Sequence, residues 1–507
     1  PMSDTFDYII VGAGTGGSVL ASRLTEDPLT TVLVLEAGGS DLNPYIHVPA
    51  GFMHTMVSGS VNWLYETEPG AGINGRCIAQ PRGKTFGGSS SINGHIYNRG
   101  QAMDFDVWAQ MGNRGWSYAE VLPYFKRSER RIGKGDDQYR GRDGPFTVTD
   151  LDWRHPLCEA YIQGAVRLGI PRNPDYNGAR QEGVGYFQRS IHRRRRMSAA
   201  RAYLHPAKRR QNLEIRTRTF ATAVLLEDHR AIGVRYVRDG QTREVTARRE
   251  VLLAGGAINT PQILELSGIG NPDILREHGV SVRHPLVGVG ENFRDHYAVR
   301  LSARARNIHT INERSRGWRL AWECAKYVLG GPSILALQPT LVGCFWMSDQ
   351  SLERADLQLT FTPASYKEGV QSRLDDYPGM TSAVWQHRPE SKGFVHIRSS
   401  NPHEKPRLQP NYLTHEIDQR TLVRGIHLAR RLLQTPQLAP YIESEISPGI
   451  HIGSDAEILD YARERGTTVF HAMGTCQMGP AARPGSVVDD QLRVHGLTGL
   501  RIVDASV

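Results

Sequence analysis

The sequence predicts an α/β fold that opens on a Rossmann-like unit, and three observations near its start carry that prediction. Asp7-Tyr8-Ile9-Ile10-Val11 is a short, β-rich apolar run of the kind that forms a buried parallel strand. It leads into Gly12-Ala13-Gly14-Thr15-Gly16-Gly17 and then SVLASRLTED, whose apolar spacing suits a helix. A second run, TVLVLEAGG over 31–39, reads as the next strand.

Strand, glycines, helix and strand in that order form a dinucleotide fingerprint, which is far more specific than isolated glycines. Gly12 permits the tight turn, Gly14 lets backbone approach a pyrophosphate, and Gly17 lets helix and sheet pack. The helix then begins near Thr15 with its unpaired N–H groups toward the phosphates. Glu36, about 20 residues on, can accept hydrogen bonds from a ribose diol and disfavours a 2′-phosphate. An adenine dinucleotide other than NADP is expected.

Further along, GKTFGGSSSINGHIYNRG (83–100) fits neither a helix nor a strand. Its bare glycines could lie against a flat ring, and its hydroxyls and amides could bond a ring edge or phosphates. ARREVLLAGGAINTPQILELSGIG (247–270) reads as another buried strand, a glycine turn and a helix. Short strands are expected within 140–150, 213–227 and 391–398, and helices over 118–127, 316–329 and 417–434. The stretch 300–390 has irregular patterning and no chemical motif.

Composition narrows the function classes. The chain has 507 residues, 39% hydrophobic and 22% charged, an ordinary globular balance that allows two domains. No apolar run suffices for a membrane helix. The start shows no basic-then-apolar secretory pattern. Five scattered cysteines suggest neither zinc nor a disulfide framework. A cytoplasmic location follows as the expectation. The net charge of +9 and the run HRRRRMSAARAYLHPAKRR (192–210) raise nucleic-acid binding, but no recognised module accompanies them. A solvated basic face is the expected reading, and no nucleic-acid partner is expected.

Several motifs together resemble the glucose–methanol–choline (GMC) oxidoreductases, and within them the bacterial choline dehydrogenase-like members. One signature runs from Gly83-Lys84 through Gly87-Gly88-Ser89-Ser90 to Asn93, Tyr97, Gly100 and Asp106, with Phe86 a mild departure. A second is matched by Gly256-Ala257, Thr260-Pro261, Ile263-Leu264 and Ser267-Gly268-Ile269-Gly270. SAARAYL (198–204), GVGENFRDH (288–296), PNYL (410–413), HAMGTCQMG (471–479) and LRVHGLTGLRIVDAS (492–506) are similar to other pieces of the family.

The resemblance implies an FAD-dependent alcohol oxidoreductase with a Rossmann-like FAD-binding domain. That domain would be discontinuous, from 1–145, 198–300 and 465–507. A substrate domain from 146–197 and 301–464 would build on an antiparallel sheet. Beside Gly12, Gly14, Thr15, Gly17 and Glu36, the implied cofactor contacts are Ala37, Gly38 and Ala221. Gly87, Gly88, Ser89, Ser90, Asn93 and Gly94 would pass along the flavin and pyrophosphate. Asp504 and Ala505 would meet the ribityl chain or pyrophosphate through amides and carboxylate. Ile92 stands where some relatives attach FAD through a histidine, so non-covalent FAD is expected. His95 stands where the family usually carries an apolar residue and stays outside the catalytic set.

By the same resemblance the catalytic base is His471, with a hydride passing to flavin N5. An imidazole is largely neutral at working pH, as a base must be. The implied product is an aldehyde from a primary alcohol, with O₂ or another acceptor taking the electrons. Trp63, Trp346 and Trp385 are available for a choline cage, but no sequence rule unites them, and a non-choline alcohol is preferred. A lyase of the same fold with structural FAD is the alternative. No metal site is expected. Relatives continue past the position of Val507 into a turn and helix bearing a second catalytic histidine or asparagine, and this protein is expected to continue likewise.

Overall fold

The computed structural model describes residues 4–368 and 373–507. Its first sheet starts where the apolar runs predict. Thr5–Val11 pairs in parallel with Val32–Leu35 on one side and with Gln241–Leu253 on the other. Leu213–Arg216 extends the sheet beyond Val32–Leu35. Along Gln241–Leu253 the opposite edge is shared: Arg230–Arg238 and Phe220–Glu227 add an antiparallel hairpin, and Leu500–Ile502 pairs in parallel with Val251–Leu253. Val32–Leu35 is buried throughout, as expected of a strand covered on both faces.

The second sheet is antiparallel, ordered Ile442–Ser447, Tyr297–Ala305, Gly379–Gln386, Leu357–Thr362, Val342–Trp346 and Gly183–Tyr186. Most of it comes from the stretch whose pattern looked irregular. Leu357–Thr362 shows why: LQLTFT alternates, with Leu357, Leu359 and Phe361 in the core and Gln358, Thr360 and Thr362 lining a cavity. Tyr161, Leu422 and Ile426, from the helices Pro156–Arg167 and Glu416–Leu433, complete that core. Glu416–Leu433 carries acids in its first turn and arginines in its last, which suits the helix dipole. The other expected helices form as Tyr118–Ser128 and Gly317–Leu329.

A separate strap, Glu291–Phe293 with Gly393–His396 and Arg407–Gln409, packs on the helix Gly256–Leu266. His396 fastens it. Its Nδ1 lies 2.6 Å from Glu265 and its Nε2 3.0 Å from Glu291, so both ring nitrogens face carboxylates. Burial opposes the charge, but the two carboxylates outweigh it and hold the imidazolium up to about 9. A folded value above the ordinary 6.5 means that this stabilisation is complete below pH 6.5 and lost as pH rises through 9. The gap corresponds to about 3 kcal/mol. The thermal midpoint is therefore expected to fall between pH 6.5 and 9.5, and His396→Gln to flatten that fall. An unchanged slope in the variant would refute the role.

The basic run is not a uniformly solvated face. Arg196 is fully buried, and Arg201 donates to the carbonyls of His192, Arg195 and Arg196. Arg194 lies over the Tyr327 ring. The five cysteines are free, three of them buried. Among the described residues no helix is long and apolar enough to cross a membrane.

Candidate active site

The glycine positions at the start of the chain are set by close approach. Gly12 has φ +100°, and a Cβ there would sit 2.5 Å from the Ala254 carbonyl oxygen. A Cβ on Gly17 would lie 1.9 Å from the Gly12 oxygen, so the helix Thr15–Leu24 packs directly on the turn. Gly14 differs: a Cβ there would meet nothing closer than 3.8 Å, so packing within the protein does not demand glycine.

The serine-rich stretch meets this turn. Gly87 and Gly88 have φ +83° and +53° and lead into the 3₁₀ turn Gly88–Ser91. A Cβ on Gly88 would come within 2.7 Å of the Gly14 Cα. Two bare glycine backbones thus lie face to face at the edge of a cavity of about 1570 Å³. Thr15, Ser89, Ser90, Asn93 and Gly94 line that cavity. Small-ligand pockets span ~300–1,000 Å³, so this one has room for a dinucleotide cofactor and a substrate together.

Several side chains expected at the cofactor are engaged in shaping its cradle. The Ser89 hydroxyl accepts from Gly83 N, and that of Ser90 donates to Gly87 O and accepts from Ala199 N. The Asn93 carbonyl accepts from Arg196 and His95, while its amide nitrogen has no partner among the described residues. Glu36 accepts from the amides of Ala13 and Gly38, and burial pushes its carboxyl up to about 7 despite them. Ala37 and Gly38 follow it; a Cβ on Gly38 would strike the Lys84 carbonyl. Thr219 N and Arg218 N bond the carbonyls of Glu36 and Gly38, which brings buried Ala221 near that corner. Asp504 is consumed internally: one oxygen accepts from Gly256 N and Thr260, the other from the amide and hydroxyl of Ser506. Each oxygen of this carboxylate thus already accepts two hydrogen bonds within the chain. Ala505 O receives Gly474 N. Ile92 is buried against Ile46 and Val61, an apolar side chain with no nucleophile, and His95 is buried with Nε2 on the Pro49 carbonyl.

At the far end stands His471. Asp295 holds its turn: one oxygen accepts from His471 N at 2.8 Å, the other from Thr468, Tyr412 and Gln80. Thr468 in turn accepts from Phe470 N, fixing Phe470 at φ +69°. Arg82 donates to the Phe470 carbonyl.

The ring of His471 is oriented by a second histidine. His296 Nε2 lies 2.6 Å from the His387 carbonyl, which can only accept, so the neutral ring carries its proton on Nε2. Its Nδ1 is therefore an acceptor and receives Nδ1–H of His471 at 2.8 Å. That leaves the lone pair of His471 Nε2, in the cavity lining, without a partner among the described residues. Burial lowers the His296 value, and burial together with His296 lowers that of His471, which favours the neutral rings. Trp385 meets the His471 ring at 70°.

Asp295 and His296 have no role in the sequence expectation, although they end the GVGENFRDH stretch. The adjacent Asp–His pair was the signal, and it acquires meaning only when His296 is seen against His471. Of the three tryptophans considered for a cage, Trp385 lines the cavity; Trp63 stacks on Tyr65 under Lys84, and neither it nor Trp346 is a lining residue.

Comparison with known proteins fits this geometry. The GMC oxidoreductase N-terminal family model matches residues 6–298 and the C-terminal model residues 389–507. The oxygen-dependent choline dehydrogenase of Staphylococcus xylosus is 40% identical over 512 residues, covering 100% of this chain and 91% of the relative. The mitochondrial choline dehydrogenase of Homo sapiens is 39% identical, covering 99% and 86%. Pyridoxine 4-oxidase from Mesorbium loti superposes with a TM-score of 0.88 at 30% identity, covering 99% and 94%. A formate oxidase gives 0.91 at 25% identity, covering 100% and 94%.

Proposed function

The chain belongs to the GMC oxidoreductases and is an FAD-dependent alcohol oxidoreductase, and on that premise we propose that it oxidises a primary alcohol to an aldehyde with His471 as the base. The observation that carries this reading is the tautomer chain from the His387 carbonyl through His296, which leaves His471 Nε2 as a bare acceptor in the cavity. FAD, when bound, supplies the hydride acceptor at N5. The fit of this chain to FAD rests on the open face of Gly14 and its contact with Gly88. Gly12, Thr15, Glu36 and the 87–94 segment would hold the dinucleotide, and Asp504 and Ala505 would complete the cradle through backbone. Ile92 leaves the attachment non-covalent.

In the reaction, Nε2 of His471 takes the hydroxyl proton as the C–H bond of the carbinol carbon gives up its electron pair. Asp295 fixes the backbone of the base, and His296 fixes its ring. Removal of His296 is expected to lower kcat about 10- to 100-fold with flavin content unchanged, because the ring loses its preferred tautomer. A loss confined to KM would refute the positioning role.

The division into FAD and substrate domains at 1–145, 198–300 and 465–507 against 146–197 and 301–464 belongs to this proposal. So does a cytoplasmic, small-molecule alcohol oxidation whose acceptor is O₂ or another oxidant. Anaerobic mixing with a panel of primary alcohols tests the reaction: loss of the flavin's visible band supports it. Product formed with the flavin unbleached would instead identify a lyase. Repeating the panel under air and with an artificial acceptor identifies the oxidant.

A further inference from the structure

The wall of the cavity beyond His471 is the polar face of the antiparallel sheet. Along Tyr297–Ala305, Val299, Leu301 and Ala303 enter the core, so Ala298 and Arg300 point the other way. Arg300 stands opposite Ala383, and Ala383 opposite Thr360, and all three line the cavity.

Among the described residues no acid pairs with this arginine. Some other cavity cations are matched, Lys367 with Asp376 at 2.8 Å, Arg465 with Glu368 at 2.7 Å and Arg354 with Asp104 at 3.3 Å, while Arg76 and Arg82 are bonded to carbonyls. The Arg300 guanidinium makes no hydrogen bond or ion pair with any described residue, and its ionisable neighbours are the phenols of Tyr366 and Tyr461. The hydroxyls of Thr360 and Thr362 are also without partners among the described residues. The guanidinium is open to the cavity, and an anion arriving there gains charge-assisted, two-point hydrogen bonding.

We propose that Arg300 binds an anionic group, a carboxylate or another oxyanion, on the end of the alcohol remote from the reacting carbon. The inference rests on the alcohol-oxidation reading and names its substrate class. Arg300 follows His296, the residue just before the strand Tyr297–Ala305, by four positions, about 13 Å along an extended backbone. With both side chains reaching inward, the carbinol and the anion are separated by several bonds, about the span of a benzene ring. A trimethylammonium head placed against Arg300 would instead meet a like charge. The cavity therefore disfavours the substrate for which its choline dehydrogenase relatives are named.

A para-substituted benzyl alcohol series tests this: 4-(hydroxymethyl)benzoate, 4-(hydroxymethyl)benzenesulfonate, neutral 4-methylbenzyl alcohol and the 4-trimethylammonio analogue. The expected kcat/KM for an anion exceeds that for the neutral isostere about 10- to 100-fold, and whichever anion leads identifies the oxyanion geometry. Arg300→Glu should reverse the order of anion and ammonium. The readout is the ratio, because a merely structural loss lowers every substrate together and leaves the ratio in place. A neutral isostere used as well as the anions, or an unchanged ratio in the variant, overturns the proposal.

A binding measurement separates this from failure of the oxidation reading. Benzoate titrated into the holoenzyme should perturb the flavin spectrum and bind at least about 10-fold more weakly to Arg300→Gln. Equal binding refutes the anion site whatever the turnover results. Loss of all alcohol bleaching with benzoate binding intact would sink the oxidation reading alone.

Discussion

Replacing His471 by alanine is expected to lower kcat about 10²- to 10⁴-fold, the usual range for a positioned general base. The argument runs from geometry: Nε2 of His471 is the unpartnered acceptor that the His387–His296 chain leaves facing the cavity. Flavin content and visible spectrum should stay as in the parent protein, because Asp295 holds the backbone of residue 471 rather than its side chain. The pH dependence has a definite sign. Burial, then His296, depress the His471 value, so the neutral base persists below pH 6.5 and is lost only as pH falls through the depressed value. A plot of kcat/KM against pH should therefore be level from neutrality down past 6.5. An acid limb above 6.5, or an alanine variant with parental kcat, would remove His471 from this role.

Gly88→Ala is expected to strip the protein of flavin. The residue sits at φ +53°, where a Cβ costs about 1–2 kcal/mol. The larger effect is contact: that Cβ would lie 2.7 Å from the Gly14 Cα, against backbone that cannot rotate aside. Restoring an ordinary separation moves the two glycine turns apart by about an ångström, where a dinucleotide requires close backbone approach. The flavin-to-protein ratio after purification should fall sharply and recover only partly on adding FAD. Gly39→Ala is the control, since a Cβ there meets nothing within 4 Å. A Gly88 variant that purifies fully loaded would show that the two turns need not touch.

Local pattern explains what could be read in advance. The opening strand–turn–helix is legible because its glycines, apolar period and Glu36 lie within one short segment. His471, the base in the proposed reaction, is singled out in the sequence by the HAMGTC motif. Arg300 and His296 are not, because their meaning depends on strand partners far away in sequence, such as Ala383 and the His387 carbonyl. The segment 300–390 looked patternless for a related reason. A strand with one face in a core and the other on a polar cavity alternates weakly, as LQLTFT does over 357–362. Asp504 is legible as part of a motif, but that its carboxylate accepts from Gly256 and Thr260, far back in the sequence, is not. The basic run misled because arginine stems bury readily when carbonyls receive their N–H groups, as around Arg196 and Arg201.

The strand Leu500–Ile502 covers an edge of Val251–Leu253, and Asp504 then closes over the turn at Gly256. During synthesis the ribosome delivers that cover some 250 residues after the edge it protects. Until then the nascent sheet carries an open hydrogen-bonding edge and an unfilled turn, a window in which pairing with the wrong chain competes with completion.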